Sequence, residues 1–136
     1  MTQPIQHLNP NALGDSSGYG FSQVVVVPSD RTHIYIAGQG GRNPQTGEMP
    51  TTFEAQMKQA FVNLRAALDA AGATPEQVVK ITILSVDHTR EKQQLISAER
   101  NAMWSDAQVK PASTLIPVPR LAGDDMLFEI DAIAAI

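Results

Sequence analysis

The order of strand-like and helix-like segments along these 136 residues limits the folds that the chain can adopt. β-branched and alternating apolar runs indicate five strands, at residues 24–27, 33–38, 79–86, 111–118 and 127–136. Apolar side chains at three- and four-residue spacing predict helices at about 51–71 and 89–104. The order β-β-α-β-α-β-β predicts an α+β fold with one mixed sheet and two helices on one face, in a single domain spanning residues 1–136.

Turn and cap residues predict where several of these elements begin and end. The first two strands are joined by a short polar connection, so we expect them to pair as a hairpin. A capping box formed by Thr51 and Glu54 predicts the start of the first helix, and Gly72 predicts its end. Pro117 and Pro119 remove two N–H donors from the same side of their strand. That side therefore cannot continue a sheet by ordinary pairing.

A sheet with both helices on one face leaves its other face uncovered. The last strand is apolar on both faces, with Phe128 and Ile130 on one and Leu127 and Ile133 on the other. A monomer that exposed such a face would be prone to aggregate. The pattern therefore predicts a homo-oligomer in which the uncovered faces pack together.

Composition excludes several classes of function. The absence of cysteine removes disulfides, thiolate metal sites and thiol nucleophiles. Ten Lys and Arg against 14 Asp and Glu give a net charge of −4, which argues against nucleic-acid binding. No uninterrupted apolar run approaches the roughly 20 residues of a membrane helix. We expect a cytoplasmic protein that has no cofactor, no metal and no membrane or nucleic-acid partner.

The most informative single residue is Glu129, which lies within the apolar segment 127–130. Burying a carboxylate there costs several kcal/mol unless it is paired or solvated in a cleft. The alternating pattern of this strand is equally consistent with an exposed Glu129 or with one paired with a Lys or Arg. Ser22, Ser97 and Ser113 become nucleophiles only if a His and an acid converge on one of them, and none of the three lies in a Gly-x-Ser-x-Gly pattern.

Short motifs follow one another in a fixed order over nearly the whole chain. They are Gly20-Phe21-Ser22-Gln23, Ala37-Gly38-Gln39, Asn43-Pro44-Gln45-Thr46-Gly47-Glu48, Ala70-Ala71-Gly72, Pro111-Ala112-Ser113-Thr114, Arg120-Leu121 and Phe128-Glu129-Ile130-Asp131-Ala132-Ile133-Ala134. Together they resemble the reactive intermediate deaminase (Rid) family, also called the YjgF family and historically labelled an endoribonuclease family. The resemblance implies a chorismate-mutase-like fold assembled as a homotrimer, with a small-molecule site at each subunit interface.

The resemblance also implies a reaction and a set of site residues. In active Rid proteins an Arg binds the carboxylate of a 2-imino or enamino acid, and a Glu orients the water that attacks the imine carbon, releasing ammonia and a 2-keto acid. The catalytic Glu falls on Glu129. The substrate-binding positions fall on Phe21 (the covering ring), Gly38 (a backbone N–H facing the ligand), Ser97, Ser113 and Leu115.

One position departs from the family pattern, because the Pro-Ala-Arg of the family reads Pro-Ala-Ser here, ending at Ser113. A hydroxyl cannot form the bidentate pair with a carboxylate, and such a charged contact contributes about 1.5–3 kcal/mol. Arg120 lies seven residues further on and on the opposite face of the strand. Arg42, in the Gly-rich loop, is the better candidate for a compensating cation.

The sequence leaves three hypotheses open. The first is an imine or enamine hydrolase whose substrate choice is altered by Ser113. The second is a non-enzymatic trimer that binds or senses a small molecule. The third, an endoribonuclease, follows from the historical family label and conflicts with the acidic composition.

Overall fold

A computed structural model describes residues 3–136, and within them a mixed four-stranded sheet carries two helices. The strands are β1 (Gln6–Leu8), β2 (Val24–Val26), β3 (His33–Gln39), β4 (Val78–Val86), β5 (Ala112–Val118) and β6 (Phe128–Ala135), and the helices are α1 (Phe53–Ala70) and α2 (Arg90–Met103). The large sheet has the order β3-β6-β4-β5, in which only β4 and β5 run parallel. The α+β arrangement expected from the sequence is confirmed.

The expected hairpin between the first two predicted strands is wrong. β2 instead pairs antiparallel with β1, which the sequence did not reveal, and the two form a separate small sheet. β3 pairs antiparallel with β6, so that Ile36 lies opposite Ala132. The two pairings use different edges: β6 pairs with one edge of β3, whereas the three residues of β2 pair with β1 rather than with the other edge of β3.

Both helices cover the same face of the large sheet. Phe61 of α1 and Ile96 of α2 belong to one continuous core with Ile81, Phe128 and Ile130 of the sheet. Aromatic packing joins the layers, since Phe61 stacks on Phe128 with ring centroids 6.1 Å apart. The core thus fixes the positions of α2, β4 and β6.

Helix α1 begins one residue later than the capping box predicts. Thr52 is the N-cap, and its hydroxyl accepts a hydrogen bond from the backbone N–H of Ala55 at 3.2 Å. This register turns Phe53 into the core against Phe128. Gly72, with φ of 74°, follows the last turn as expected.

The other face of the large sheet is covered by neither α1 nor α2, and we call it the open face. Tyr35 is 73% exposed on the open face, beside half-buried Ile133, its partner in the β3–β6 register.

Strand β5 lies at the edge of the large sheet. Outside its pairing with β4, it makes one isolated bridge, between Ala112 and Ser22, among the described residues. This agrees with the edge position predicted from Pro117, within β5, and Pro119, just beyond its end.

Candidate functional site

A buried guanidinium brings together three of the residues singled out in the sequence. Arg100 lies in α2 and is 2% exposed. Its Nη1 donates to the Ser113 hydroxyl at 3.0 Å, and its Nη2 lies 3.3 Å from the Ser97 hydroxyl. The Phe21 ring stacks on it, with the centroid 5.1 Å from Cζ. We call Arg100, Phe21, Ser97 and Ser113 the Arg100 cluster.

The segment around Gly20 packs closely against the Arg100 cluster. The short 3₁₀ helix Ser17–Tyr19 ends at Gly20, whose φ is 91°. A Cβ at Gly20 would lie 2.6 Å from the Arg100 Cβ, so only glycine lets the two segments approach this closely. The carbonyl of Tyr19 then accepts a hydrogen bond from Nη2 of Arg100 at 2.8 Å.

The charge of the Arg100 cluster is unusual for a protein interior. Burial lowers the pKa of Arg100 to about 10, so the group is still a cation at pH 7. Lys110, 3% exposed, also has its pKa lowered by burial; Asp106 opposes this shift and Arg100 adds to it. No Asp or Glu of residues 3–136 forms a salt bridge with either cation. The region therefore holds two buried positive charges without an ion-paired anion.

Glu129 lies on the opposite, open face of the sheet, on the same side of β6 as Asp131. It is half-buried, and none of the described Lys or Arg side chains forms a salt bridge with it. Its carboxylate lies directly against the Cα of Gly38, where a Cβ would overlap Oε1. A register irregularity in β3, between Ile36 and Gln39, accompanies this contact. Glu129 thus presents a carboxylate without a paired cation beside an exposed backbone.

One chain does not bring the two halves of the predicted site together. In the register of β4, Ser113 lies opposite Ile81 and Glu129 opposite Leu84. Positions three residues apart on a strand point to opposite faces. The two residues are also separated by about 10 Å along β4 and about 10 Å across two strand spacings. A ligand that contacts both Glu129 and the Arg100 cluster therefore requires a second chain.

The other two candidates lie apart from these groups. Leu115 is in β5, where it packs against the apolar core and lies opposite Ile83. Arg42 is in the loop after β3, where it donates to the carbonyl of Gly47 at 2.8 Å and forms an exposed ion pair with Asp125 at 3.3 Å. Within one chain, the guanidinium beside Ser113 is that of Arg100. A role for Arg42 as the compensating cation stays a prediction.

Sequence reasoning missed Arg100, although a signal was present. The candidate cations Arg120 and Arg42 lie beyond the strand of Ser113 and in the Gly-rich loop, whereas Arg100 lies on the helix that carries Ser97. Residues three apart on a helix share a face, so Arg100 follows from Ser97 once the facing helix is considered.

A second polar group links β4 to α2. His88 Nδ1 lies 2.8 Å from the Ser85 hydroxyl, and its Nε2 lies 2.9 Å from Oε1 of Gln93. Because an amide oxygen only accepts, the Nε2–H group of His88 donates to Gln93, and in the neutral imidazole Nδ1 then accepts from Ser85. The arrangement resembles a hydroxyl–imidazole relay, but Ser85 is 0% exposed. No substrate can reach that hydroxyl, so the group is structural.

The described residues offer neither a cluster of metal ligands nor a membrane-spanning helix. Across residues 3–136, no three His, Asp or Glu side chains lie close enough together to bind a metal ion. Neither helix α1 nor helix α2 has the length and apolar character needed to cross a bilayer.

The family match and the curated relatives of this sequence agree with one another. The model of the family described as endoribonuclease L-PSP matches residues 15–136. A 2-iminobutanoate/2-iminopropanoate deaminase of Escherichia coli K12 is 33% identical over 102 residues, which cover 74% of this chain and 77% of that protein.

Solved structures show the same fold. The protein YyfB of Yersinia pestis, a Rid-family protein of unknown function, is 33% identical with a TM-score of 0.90, covering 98% of this chain and all of that one (100%). The YjgF gene product of Escherichia coli is 30% identical with a TM-score of 0.67, over 84% of this chain and 86% of that one.

Proposed function

Because this chain belongs to the Rid/YjgF family, we propose that it hydrolyses small 2-imino or enamino acids at clefts between the subunits of a homotrimer. The observation that carries this proposal is Glu129, a half-buried carboxylate with no salt bridge to any described Lys or Arg, held against the backbone of Gly38. An ion-paired or fully exposed carboxylate would be explained by folding or solubility alone. A free carboxylate beside a backbone N–H suits the positioning of water.

The chemistry needs a water molecule and one base. The Glu129 carboxylate accepts a hydrogen bond from the water and aims its oxygen at the imine carbon. As the water oxygen bonds to the imine carbon, one water proton passes to Glu129 and the imine nitrogen takes a proton from solvent, which gives a tetrahedral carbinolamine. Glu129 then returns its proton to the amino group and the C–N bond breaks to release ammonia. The carbinol hydroxyl releases its proton to solvent as the C=O bond of the 2-keto acid forms. An enamine first tautomerises to the imine. Overall, C=NH and water are converted to C=O and ammonia.

Two features of the single chain support association of subunits, as the proposed homotrimer requires. The open sheet face presents exposed Tyr35 and half-buried Leu84 and Ile133, which a neighbouring subunit can cover. Glu129 and the Arg100 cluster lie on opposite sheet faces, so they can meet only where two subunits adjoin. Association therefore both covers apolar surface and completes the site. Because Ser113 stands where the family pattern has Arg, we expect the choice among imino acids to differ from that of Arg-containing relatives.

The direct test supplies a short imino acid, generated in situ by an amino acid oxidase, and follows the release of ammonia and keto acid. We expect the purified protein to accelerate hydrolysis clearly over buffer. A rate equal to that of buffer, with binding of small carboxylates retained, would instead support the non-enzymatic binding protein. RNA binding at two salt concentrations tests the endoribonuclease, for which we expect no salt-sensitive association.

Substitution of Gly38 tests the placement of Glu129. In Gly38→Ala, the new methyl group overlaps the position of the Glu129 carboxylate, which must move. A displacement of about 1 Å in a catalytic group typically lowers the rate about 100-fold. Gly18→Ala is the matched control, because a Cβ at Gly18 meets nothing within 4 Å. Equal activity of the Gly38→Ala variant and the wild type would show that Glu129 does not act from this position.

A further inference from the structure

The Arg100 cluster holds a positive charge that the described chain does not neutralise. Arg100 is 2% exposed and forms no salt bridge with a described carboxylate, whereas the nearby cation Lys110 has Asp106 in its vicinity. A buried cation without a counter-ion is strongly unfavourable, and such groups are normally paired. An anion from outside the chain would relieve this cost.

The guanidinium also has N–H donors to spare. It carries five, of which Ser113, Tyr19 and Ser97 engage three. All three acceptors are neutral oxygens, which bind a guanidinium more weakly than a carboxylate does. The Nε atom of Arg100 is buried and has no hydrogen-bond partner. Both a charge and directed donors are therefore available to a ligand.

The aromatic ring of the cluster is compatible with such a ligand. Phe21 stacks on the face of the guanidinium, whereas the N–H groups point outward in its plane. A carboxylate can approach in that plane while the ring stays in place. Because the Nε atom is buried, a carboxylate can reach it only if a neighbouring side chain moves.

We propose that Arg100 binds the carboxylate of the ligand, so that the cation expected on β5 is supplied by helix α2. The position supports this assignment, because Nη1 of Arg100 lies 3.0 Å from the hydroxyl of Ser113, the residue that replaces the expected Arg. The ligand class is a small carboxylic acid. This inference rests on the proposed function only in placing the ligand at the same cleft.

The test uses pyruvate as a probe, with pyruvamide as its uncharged analogue, and measures binding by calorimetry. We expect wild-type protein to bind pyruvate and not pyruvamide. Arg100→Ser should weaken pyruvate binding about 10- to 150-fold, the effect of one lost charged hydrogen bond. Arg65→Ser, which removes an exposed arginine of α1, is the matched control and should bind as wild type does.

Exchanging the two residues sharpens the test. The double variant Arg100→Ser with Ser113→Arg places the guanidinium on β5 and should recover pyruvate binding. Ser113→Arg alone puts two guanidinium groups in contact and should lower the melting temperature. In wild-type protein, the ¹⁵N-edited NMR signal of Arg100 Nε–H should shift on addition of pyruvate, a readout that does not depend on the folding of any variant.

The outcomes separate this inference from the proposed function. Unchanged pyruvate affinity in folded Arg100→Ser, no shift of the Nε–H signal, or loss of binding in Arg42→Ser instead would overturn the assignment to Arg100, even if imine hydrolysis proceeds. Pyruvate binding that depends on Arg100, without imine hydrolysis, would leave the assignment intact and refute the hydrolase.

Discussion

Replacement of Glu129 by Gln is expected to lower imine hydrolysis about 100- to 10,000-fold, the usual contribution of a positioned general base. The amide has almost the same shape, so it keeps its place against Gly38, but it cannot accept the proton of the attacking water. Because Glu129 forms no salt bridge with a described Lys or Arg, the substitution breaks no ion pair there. The melting temperature should stay close to that of the wild type, which separates a chemical defect from a folding defect.

Asp131→Asn is the matched control for that experiment. Asp131 lies two residues further along β6 on the same face, and its Oδ1 accepts the backbone N–H of Thr82 at 3.1 Å. An amide oxygen can still accept this hydrogen bond, so we expect nearly wild-type hydrolysis. Equal losses in both variants would indicate a general effect of charge on the open face. Full activity of Glu129→Gln would refute the proposed role of Glu129.

Replacement of Ile133 by Lys is expected to dissociate the proposed homotrimer. Ile133 is half-buried at the open face, with Tyr35 and Lys80 as its register partners on the two neighbouring strands. Enclosing an unpaired ammonium group costs several kcal/mol, and every subunit contributes one, so the dissociation constant should rise at least about 1000-fold. Imine hydrolysis should fall with the trimer, because the monomer keeps Glu129 and Arg100 apart.

Light scattering coupled to size-exclusion chromatography measures this effect. Val62→Lys is the matched control, because Val62 is an exposed apolar residue of α1, the helix that covers the other sheet face. We expect that variant to keep the mass of three chains. A trimeric Ile133→Lys protein would show that the subunits associate through another surface. A wild-type protein of one-chain mass would refute the assembly altogether.

Most of the fold could be predicted because its elements carry strong local patterns. The apolar stripe of α1 and the alternation in β6 survive in the structure with boundary shifts of one or two residues. Strand pairing was predicted less well. β1 has only three residues and becomes a strand by pairing with β2, a contact between distant positions that local pattern does not reveal. For the same reason the pairing of β3 with β6 replaced the expected hairpin.

The candidate site could be predicted by residue type but not by arrangement. Phe21, Ser97 and Ser113 were assigned to one site, and the structure brings them together on Arg100. Local sequence pattern did not predict Arg100, because its hydrogen bond with Ser113 joins a helix to a strand. The separation of Glu129 from this cluster depends on the register of three strands, which sequence alone did not supply.

Mixing two kinds of impaired subunit, assayed with substrate well below its KM so that weakened binding also lowers the rate, tests most directly whether each site is shared between neighbours. Differently tagged Glu129→Gln and Arg100→Ser chains are refolded together, and trimers that carry both tags are purified. In a cyclic trimer with both kinds of subunit, one of the three clefts receives intact Glu129 from one side and intact Arg100 from the other, so we predict about one third of wild-type hydrolysis. Mixed trimers no more active than either parent would contradict a site built by two subunits.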